Sequence, residues 1–133
     1  YADAASHFEE VLVLDPASAL TLYSLGVSRI RLGQHDRARE RLLRALEINP
    51  EYGAAYYELA QALEGVGELD KAVEAYRNCL QREPRYKYAH YGLGLLLAKL
   101  GRVDESRAHL DRFVQLPDHK KPEYVFFAPP GAR

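Results

Sequence analysis

The residue types most often used in catalysis are sparse in this chain, and their spacing forms no catalytic or metal-binding motif. There is no His-Glu-x-x-His pair, no glycine-rich phosphate loop and no Cys-x-x-Cys. His90 falls at a packing position of a predicted helix, and Cys79 shares one face of a predicted helix with Ala72, Tyr76 and Leu80, which predicts a buried histidine and an inert buried thiol. We therefore predict no enzymatic activity, no cofactor and no metal. The other histidines are scattered at His7, His35, His109 and His119.

Three evenly spaced tyrosines point instead to non-covalent recognition. Tyr23, Tyr57 and Tyr91 are separated by steps of 34 residues. Tyrosine offers a large contact area, a polar tip and few rotatable bonds, which suits it to binding surfaces. The same step recurs in four other series, so the spacing reflects an internal repeat rather than chance. The other series are Pro16, Pro50 and Pro84; Gly33, Gly67 and Gly101; Leu25, Leu59 and Leu93; and Asp36, Asp70 and Asp104.

These series predict that each repeat is a pair of helices. Proline cannot continue a helix and separates the pairs, whereas glycine can adopt the left-handed conformation that ends a helix and marks the turn within a pair. An aspartate just after that turn favours the positive end of the second helix. First helices are predicted at 18–32, 52–66 and 86–100, second helices at 36–48, 70–82 and 104–116, and a single helix at 2–14. The predicted divisions are a half repeat at 1–16, repeats at about 17–50, 51–84 and 85–117, and a separate tail at 118–133.

Each repeat also has a set of large and small residues at corresponding places, although their types vary between repeats. They are Leu22, Leu25, Gly26, Ala38, Leu42, Ala45 and Pro50, then Tyr56, Leu59, Ala60, Ala72, Tyr76, Cys79 and Pro84, then His90, Leu93, Gly94, Leu110 and Phe113. Over residues 1–117 this pattern resembles the tetratricopeptide repeat family. The resemblance implies an all-α, right-handed α-solenoid of antiparallel helix hairpins, of about three and a half repeats, that acts as a protein-interaction scaffold. The last repeat departs from the pattern at Ser106 and Pro117, as expected of a terminal repeat.

The first helices carry a second apolar stripe beside the one that packs inside each hairpin, which indicates a face offered to a ligand. The resemblance implies that the first helices line the concave side of the solenoid. We predict that an extended or helical polypeptide segment, apolar with a few charges, binds in this tyrosine-lined groove. In the alternative, the tyrosines only fill contacts between adjacent first helices. The predicted groove residues are Leu20, Tyr23, Val27, Arg31, Tyr57, Glu58, Gln61, Glu64, Tyr88, Tyr91, Leu95 and Lys99.

The Pro-rich tail contains an apolar run that is expected to contact protein. Tyr124, Val125, Phe126 and Phe127 are consecutive, and burying such side chains stabilises by about 1.5–3 kcal/mol each. Three placements are open. The run caps the last hairpin, begins a further domain, or lies in the groove of its own or a neighbouring chain, and the last placement would make the protein self-associate.

Composition limits the other classes of function. With 47% hydrophobic and 28% charged residues and a net charge of −1, the chain has no basic excess that would predict nucleic-acid binding. No apolar run reaches the about 18–20 residues of a membrane-spanning helix, so membrane insertion is not predicted. The chain lacks methionine and begins at Tyr1, from which we expect a fragment or a processed product. The compartment stays open, with the cytoplasm as the default. A further hypothesis is a targeting or regulatory segment of a larger multidomain enzyme.

Overall fold

The computed structural model describes residues 18–117, which form three antiparallel helical hairpins and, within that range, no strand. The all-α solenoid expected from the repeat is confirmed, and each described helix begins and ends within one residue of its predicted bounds. The predicted helix at 2–14 and the tail at 118–133 lie outside the described residues. The helices are α1 (Ala19–Arg31) and α2 (His35–Ile48), α3 (Gly53–Gly65) and α4 (Leu69–Arg82), and α5 (Lys87–Lys99) and α6 (Val103–Gln115).

The turn inside each hairpin depends on its glycine. Gly33, Gly67 and Gly101 have φ values of 76°, 84° and 82°, in the left-handed region that other residues seldom adopt. In the first turn the Gly33 N–H donates to the Ile30 carbonyl at 2.9 Å, and the next N–H donates to the Arg29 carbonyl at 2.8 Å. These bonds satisfy the last carbonyls of α1 and reverse the chain. The same pair of bonds recurs in the other two turns, so one local device sets all three hairpins.

Each hairpin is closed by apolar side chains packed against a small residue. Leu22, Leu25 and Leu42 are fully buried in the first hairpin, and each buried leucine stabilises the fold by about 1.5–3 kcal/mol. A Cβ atom on Gly26 would lie 2.7 Å from the Cγ of Leu42. Glycine at this position therefore allows α1 and α2 to approach closely.

Successive hairpins are joined by the second helix of one and the first helix of the next, since α2 packs against α3 and α4 packs against α5. The fully buried ring of Tyr76 on α4 extends to α5, where a Cβ on Gly92 would lie 2.7 Å from its hydroxyl oxygen. This contact explains why Gly92 is in the middle of α5, although glycine destabilises a helix relative to alanine. None of the helices in the described range is long and apolar enough to cross a membrane.

Candidate functional site

The predicted groove residues all lie on α1, α3 and α5, and we call the surface they define the first-helix face. Glu58, one of the charged residues predicted to line the groove, is buried. The other predicted residues are half-buried or exposed. The face therefore combines partly covered residues in its middle with exposed ones on α5 and at the two ends of α1, where Leu20 is 65% exposed and Arg31 is exposed.

The first two members of the tyrosine row pack against tyrosines at the start of the following first helix. The rings of Tyr23 and Tyr52 stack with their centroids 4.9 Å apart, and those of Tyr57 and Tyr86 lie 5.2 Å apart. Burial, and secondarily the charge of Glu58, raises the pKa of Tyr57 to about 12. These two tyrosines thus fill contacts between repeats while keeping part of each side chain accessible.

The third member of the row is more exposed and belongs to an apolar stripe on α5. Tyr91 packs against Phe113 of α6, with ring centroids 4.8 Å apart, and it stays 43% exposed. Tyr88 and Leu95 are 42% and 48% exposed. These residues are spaced by three and four positions, so they share one side of the helix. We call Tyr88, Tyr91 and Leu95 the C-terminal stripe.

A polar network lies in the middle of the first-helix face. Gln61 Nε2 donates to the Tyr76 hydroxyl at 2.7 Å, and that hydroxyl donates to Glu64 Oε2 at 2.5 Å. Burial raises the pKa of Tyr76, and the bond to Glu64 adds to the effect, so the phenol is neutral and remains a donor. The network orients Gln61 and Glu64 at the centre of a face that is otherwise mainly aromatic and aliphatic.

A family model described as Tetratricopeptide repeat matches this chain at residues 1–52, 23–78 and 57–120. The chain belongs to the tetratricopeptide repeat family. The three matches overlap and together cover residues 1–120. A comparison with curated protein sequences gives no match.

Solved structures with the same fold include other tetratricopeptide repeat proteins. A crystal structure of MamA is 31% identical, with a TM-score of 0.80 over 85% of this chain and 66% of that one. MamA from Desulfovibrio magneticus RS-1 is 25% identical, with a TM-score of 0.82 over 87% and 66%. YrrB, described as a TPR protein with an unusual peptide-binding site, is 26% identical, with a TM-score of 0.76 over 86% and 60%. The chain thus spans slightly less than two thirds of the length of these relatives.

Sequence reasoning missed two features of the tetratricopeptide repeats. Tyr52 and Tyr86, which cover the first two row tyrosines, are themselves one repeat apart, and this sixth series was the available signal. The Tyr76 network had no comparable signal, because the equivalent residue in the repeat before it is Leu42. Only the packing of α3 against α4 shows that the Tyr76 hydroxyl reaches Gln61 and Glu64.

The histidine and cysteine side chains occupy structural positions in these repeats. His90 is buried as predicted, and its Nε2–H donates to the Pro84 carbonyl at 2.9 Å. This bond leaves the Nδ1 of neutral His90 to accept from the Nδ1–H of His109 at 3.1 Å, a contact between helices that the sequence did not predict. Cys79 is fully buried, and its burial raises its pKa to about 12, which makes an inert thiol. No group of three metal-ligating residues occurs within residues 18–117.

Proposed function

We propose that the first-helix face binds an extended segment of a partner protein, anchored on the C-terminal stripe. The observation that carries this proposal is the exposure of Tyr88, Tyr91 and Leu95 on one side of α5. Large apolar side chains that are grouped and exposed mark interaction surfaces in soluble proteins. The accessible parts of Tyr23 and Tyr57 would continue the contact toward α1.

The geometry favours a short apolar ligand with polar groups at its centre. Adjacent helices lie about 8–10 Å apart, so the row from Tyr23 to Tyr91 extends about 20 Å, which corresponds to about six residues of extended chain. Gln61 and Glu64 would meet the middle of such a segment, where backbone amides or a Lys or Arg side chain could bind them. The peptide-binding site in the description of YrrB supports a peptide as the ligand class.

The experiment uses a heptapeptide selected from a phage-displayed library on the full chain, with its affinity measured by fluorescence anisotropy. Tyr91→Ala should weaken binding about tenfold or more, as expected when a central aromatic residue is truncated. Tyr91 is a cleaner probe than Tyr23 or Tyr57, because it is more exposed and its ring contact, with Phe113, lies within its own hairpin, whereas the other two pack on tyrosines of the next repeat. Ile48→Ala, which truncates an exposed residue of α2, is the matched control and should leave affinity unchanged. Equal affinity of the Tyr91→Ala variant and the native chain would contradict the proposal.

A second candidate function is self-association through the tail. Residues Tyr124, Val125, Phe126 and Phe127 lie outside the described residues, but the point from which the tail departs favours the idea. Lys87 Nζ, at the start of α5, donates to the Leu116 carbonyl at 3.3 Å, so the chain leaves α6 near the C-terminal stripe. The tail would cover that stripe in its own chain or in a neighbour. Removal of residues 122–133 should lower the number of chains per particle, measured as mass in solution relative to the mass of one chain, if the contact is between chains. An unchanged oligomeric state would count against self-association.

The hypothesis of a regulatory or targeting segment of a larger enzyme remains a proposal of its own. The MamA and YrrB structures extend beyond the part that this chain matches. The complete reading frame tests the hypothesis directly, since a catalytic domain on either side would support it and further helical repeats alone would oppose it.

A further inference from the structure

A second opening lies on another side of α3. A cleft that is open to solvent, with a volume of about 680 Å³, is lined by α2, α3 and α4. This volume is within the range of about 300–1,000 Å³ found for ligand pockets. Tyr56, Leu59 and Leu63 line it, on a side of α3 that differs from that of Tyr57 and Gln61. We call this opening the rear cleft. Its other lining residues are Arg39, Leu43, Glu68, Asp70, Lys71, Glu74, Ala75 and Asn78.

At the equivalent place one repeat later, between α5 and α6, two histidine side chains contact each other across the space. His90 and His109 stand where Tyr56 and Ala75 stand in the rear cleft. The histidine rings meet through their Nδ1 atoms at 3.1 Å and connect α5 to α6. The methyl group of Ala75 is too short to make such a contact with Tyr56, so the space between α3 and α4 stays open.

An ion pair also crosses the later repeat and has no counterpart in the rear cleft. Arg77 Nη2 lies 3.1 Å from Glu105 Oε2 and bridges α4 to α6. Leu43 and Lys71 occupy the corresponding positions, and the apolar side chain of Leu43 stays 47% exposed. The side chains at these positions therefore distinguish the rear cleft from the equivalent place one repeat later.

The charges of the rear cleft favour a cationic ligand. Three carboxylates, those of Glu68, Asp70 and Glu74, line it together with the two cations Arg39 and Lys71. Glu68 is engaged by Arg39 at 3.0 Å and by Lys71 at 3.4 Å, and Arg39 also lies 3.6 Å from Asp36, outside the cleft. Glu74 lies 3.2 Å from Arg77, a residue outside the cleft that is shared with Glu105. The acidic excess disfavours phosphate-bearing ligands and favours Lys or Arg side chains.

The length of the rear cleft suits a short peptide. The lining residues of α4 run from Asp70 to Asn78, a helical rise of about 12 Å. An extended chain covers this distance with about four residues. Two of their side chains would point toward the apolar floor, because alternate residues of an extended chain face the same side.

We infer that the rear cleft binds a short segment of a partner protein in which two large aliphatic or aromatic side chains are flanked by Lys or Arg. The apolar side chains fill the space against Leu43, Tyr56 and Leu63, and the cations face Asp70 and Glu74. Because the rear cleft and the first-helix face use different sides of α3, one chain can hold two segments at once. This inference is independent of the function proposed for the first-helix face.

The experiment uses the full chain labelled with ¹⁵N and a synthetic peptide, acetyl-Gly-Lys-Leu-Gln-Phe-Lys-Gly-amide. Addition of the peptide should shift the backbone amide signals of Tyr56, Leu63 and Ala75 and leave that of Tyr91 in place. Replacement of both lysines by glutamate, or of the leucine and phenylalanine by alanine, should each weaken binding at least tenfold. These two control peptides separate the charge requirement from the apolar one.

Two matched variants test the location. Leu43→Arg introduces the residue found one repeat later, and Ile48→Arg makes the same change on the same helix at a residue of similar exposure that does not line the rear cleft. Leu43→Arg should weaken peptide binding at least tenfold and Ile48→Arg should not, with both variants keeping the native thermal unfolding curve. Leu43→Ala serves as a milder variant and should weaken binding by a smaller factor.

Three results would overturn the inference. They are equal binding by the Leu43→Arg and Ile48→Arg variants, equal binding of the lysine and glutamate peptides, and peptide-induced shifts confined to the first-helix face around Tyr91. A Tyr91→Ala variant that still binds this peptide while losing the phage-selected peptide would separate the two sites. Failure of the proposed groove function would therefore not imply failure of the rear cleft.

Discussion

The two junctions between hairpins join equivalent helices but have different interiors. At the first junction, between α2, α3 and α4, the Arg39–Glu68 ion pair of 3.0 Å accompanies an open cavity. At the second junction, between α4, α5 and α6, the His90–His109 contact crosses the corresponding space. A repeat that fixes the backbone therefore leaves each junction free to be open or closed by a few side chains.

The same contrast appears on the first-helix face, but in the opposite direction along the chain. Tyr23 and Tyr57 are covered by a tyrosine of the following repeat, whereas Tyr91, in the last described hairpin, is exposed beside Phe113. The accessible apolar surface thus lies near α5 on one face and near α3 on the other. The differences between repeats, rather than their shared pattern, mark the candidate sites.

The largest expected effect at the second junction is that of Tyr76→Ala. Truncating this fully buried ring leaves a cavity and removes the hydroxyl that binds Gln61 and Glu64. We expect a loss of about 3–5 kcal/mol in the free energy of unfolding, measured by urea denaturation. Tyr76→Phe, which keeps the ring, should lose about 1–3 kcal/mol by leaving the polar partners unsatisfied. A loss from Tyr76→Ala no larger than that from Tyr76→Phe would show that ring packing does not hold this junction.

A smaller loss is expected when the second junction is overpacked rather than emptied. A Cβ at Gly92 would lie 2.7 Å from the Tyr76 hydroxyl oxygen and 2.8 Å from two ring carbons. Gly92→Ala should therefore lower the free energy of unfolding by about 1–3 kcal/mol, although alanine is the better helix former. Calorimetry should show the loss in the native background and relief of part of it in a Tyr76→Leu background. Equal losses of unfolding free energy in both backgrounds would show that the effect of Gly92→Ala does not come from contact with the Tyr76 ring.

The fold was predictable because its signals are local and repeated. Gly33 and its equivalents have the conformation that a helix-ending glycine predicts, and the prolines between hairpins fall outside helices. The small residue at Gly26 follows from the same pattern, since α2 cannot approach without it. Such features depend on neighbours in sequence or on one helix partner, so a single chain is sufficient to infer them.

The interiors of the junctions were much less predictable, because they depend on residues from three helices. His90 was correctly placed at a packing position, but its partner His109 lies on another helix face that gave no signal. Glu58 was assigned to the groove by its register and is buried in the structure. Arg39 binds Glu68 of the next hairpin, a contact that the repeat pattern does not indicate. The position of a residue in the repeat predicts which side of its helix the side chain is on, whereas how deeply that side chain is buried depends on the residues of the neighbouring helix.

The histidine contact predicts that the second junction is sensitive to acid. Burial lowers the pKa of His109 below 6.5, and the nearby His90 and Arg77 act in the same direction, while Glu105 opposes them. The unfolded chain therefore binds a proton at His109 more readily than the folded chain does. The stabilising contribution of neutral His109 is full above about pH 6.5 and decreases as the pH falls toward the lowered pKa.

This pH dependence is measured as the change in Tm between pH 7.5 and pH 5.5. We expect a decrease of a few degrees in the native chain and a smaller decrease in a His109→Ala variant, which carries the residue found at the equivalent position of the first junction. A His35→Ala variant is a suitable control, because His35 lies in the first hairpin. Identical pH dependence in the native and His109→Ala chains would show that the histidine contact does not distinguish the junctions.

The smallest expected effect concerns the ion pairs, which decide whether charge or packing separates the two junctions. The side chains of Arg39 and Glu68 are 30% and 37% exposed, whereas those of Arg77 and Glu105 are 40% and 47% exposed. Exposed ion pairs contribute about 0.2–1 kcal/mol, and the less exposed pair at the open junction should lie nearer the upper end. Double-mutant cycles with alanine at both positions of each pair measure the two coupling energies. If Arg39–Glu68 couples at least as strongly as Arg77–Glu105, the open junction is no weaker electrostatically than the closed one. The closure of the second junction then depends on the contact of His109 with His90, which Ala75 cannot make with Tyr56. A much stronger coupling at Arg77–Glu105 would instead assign the difference to charge.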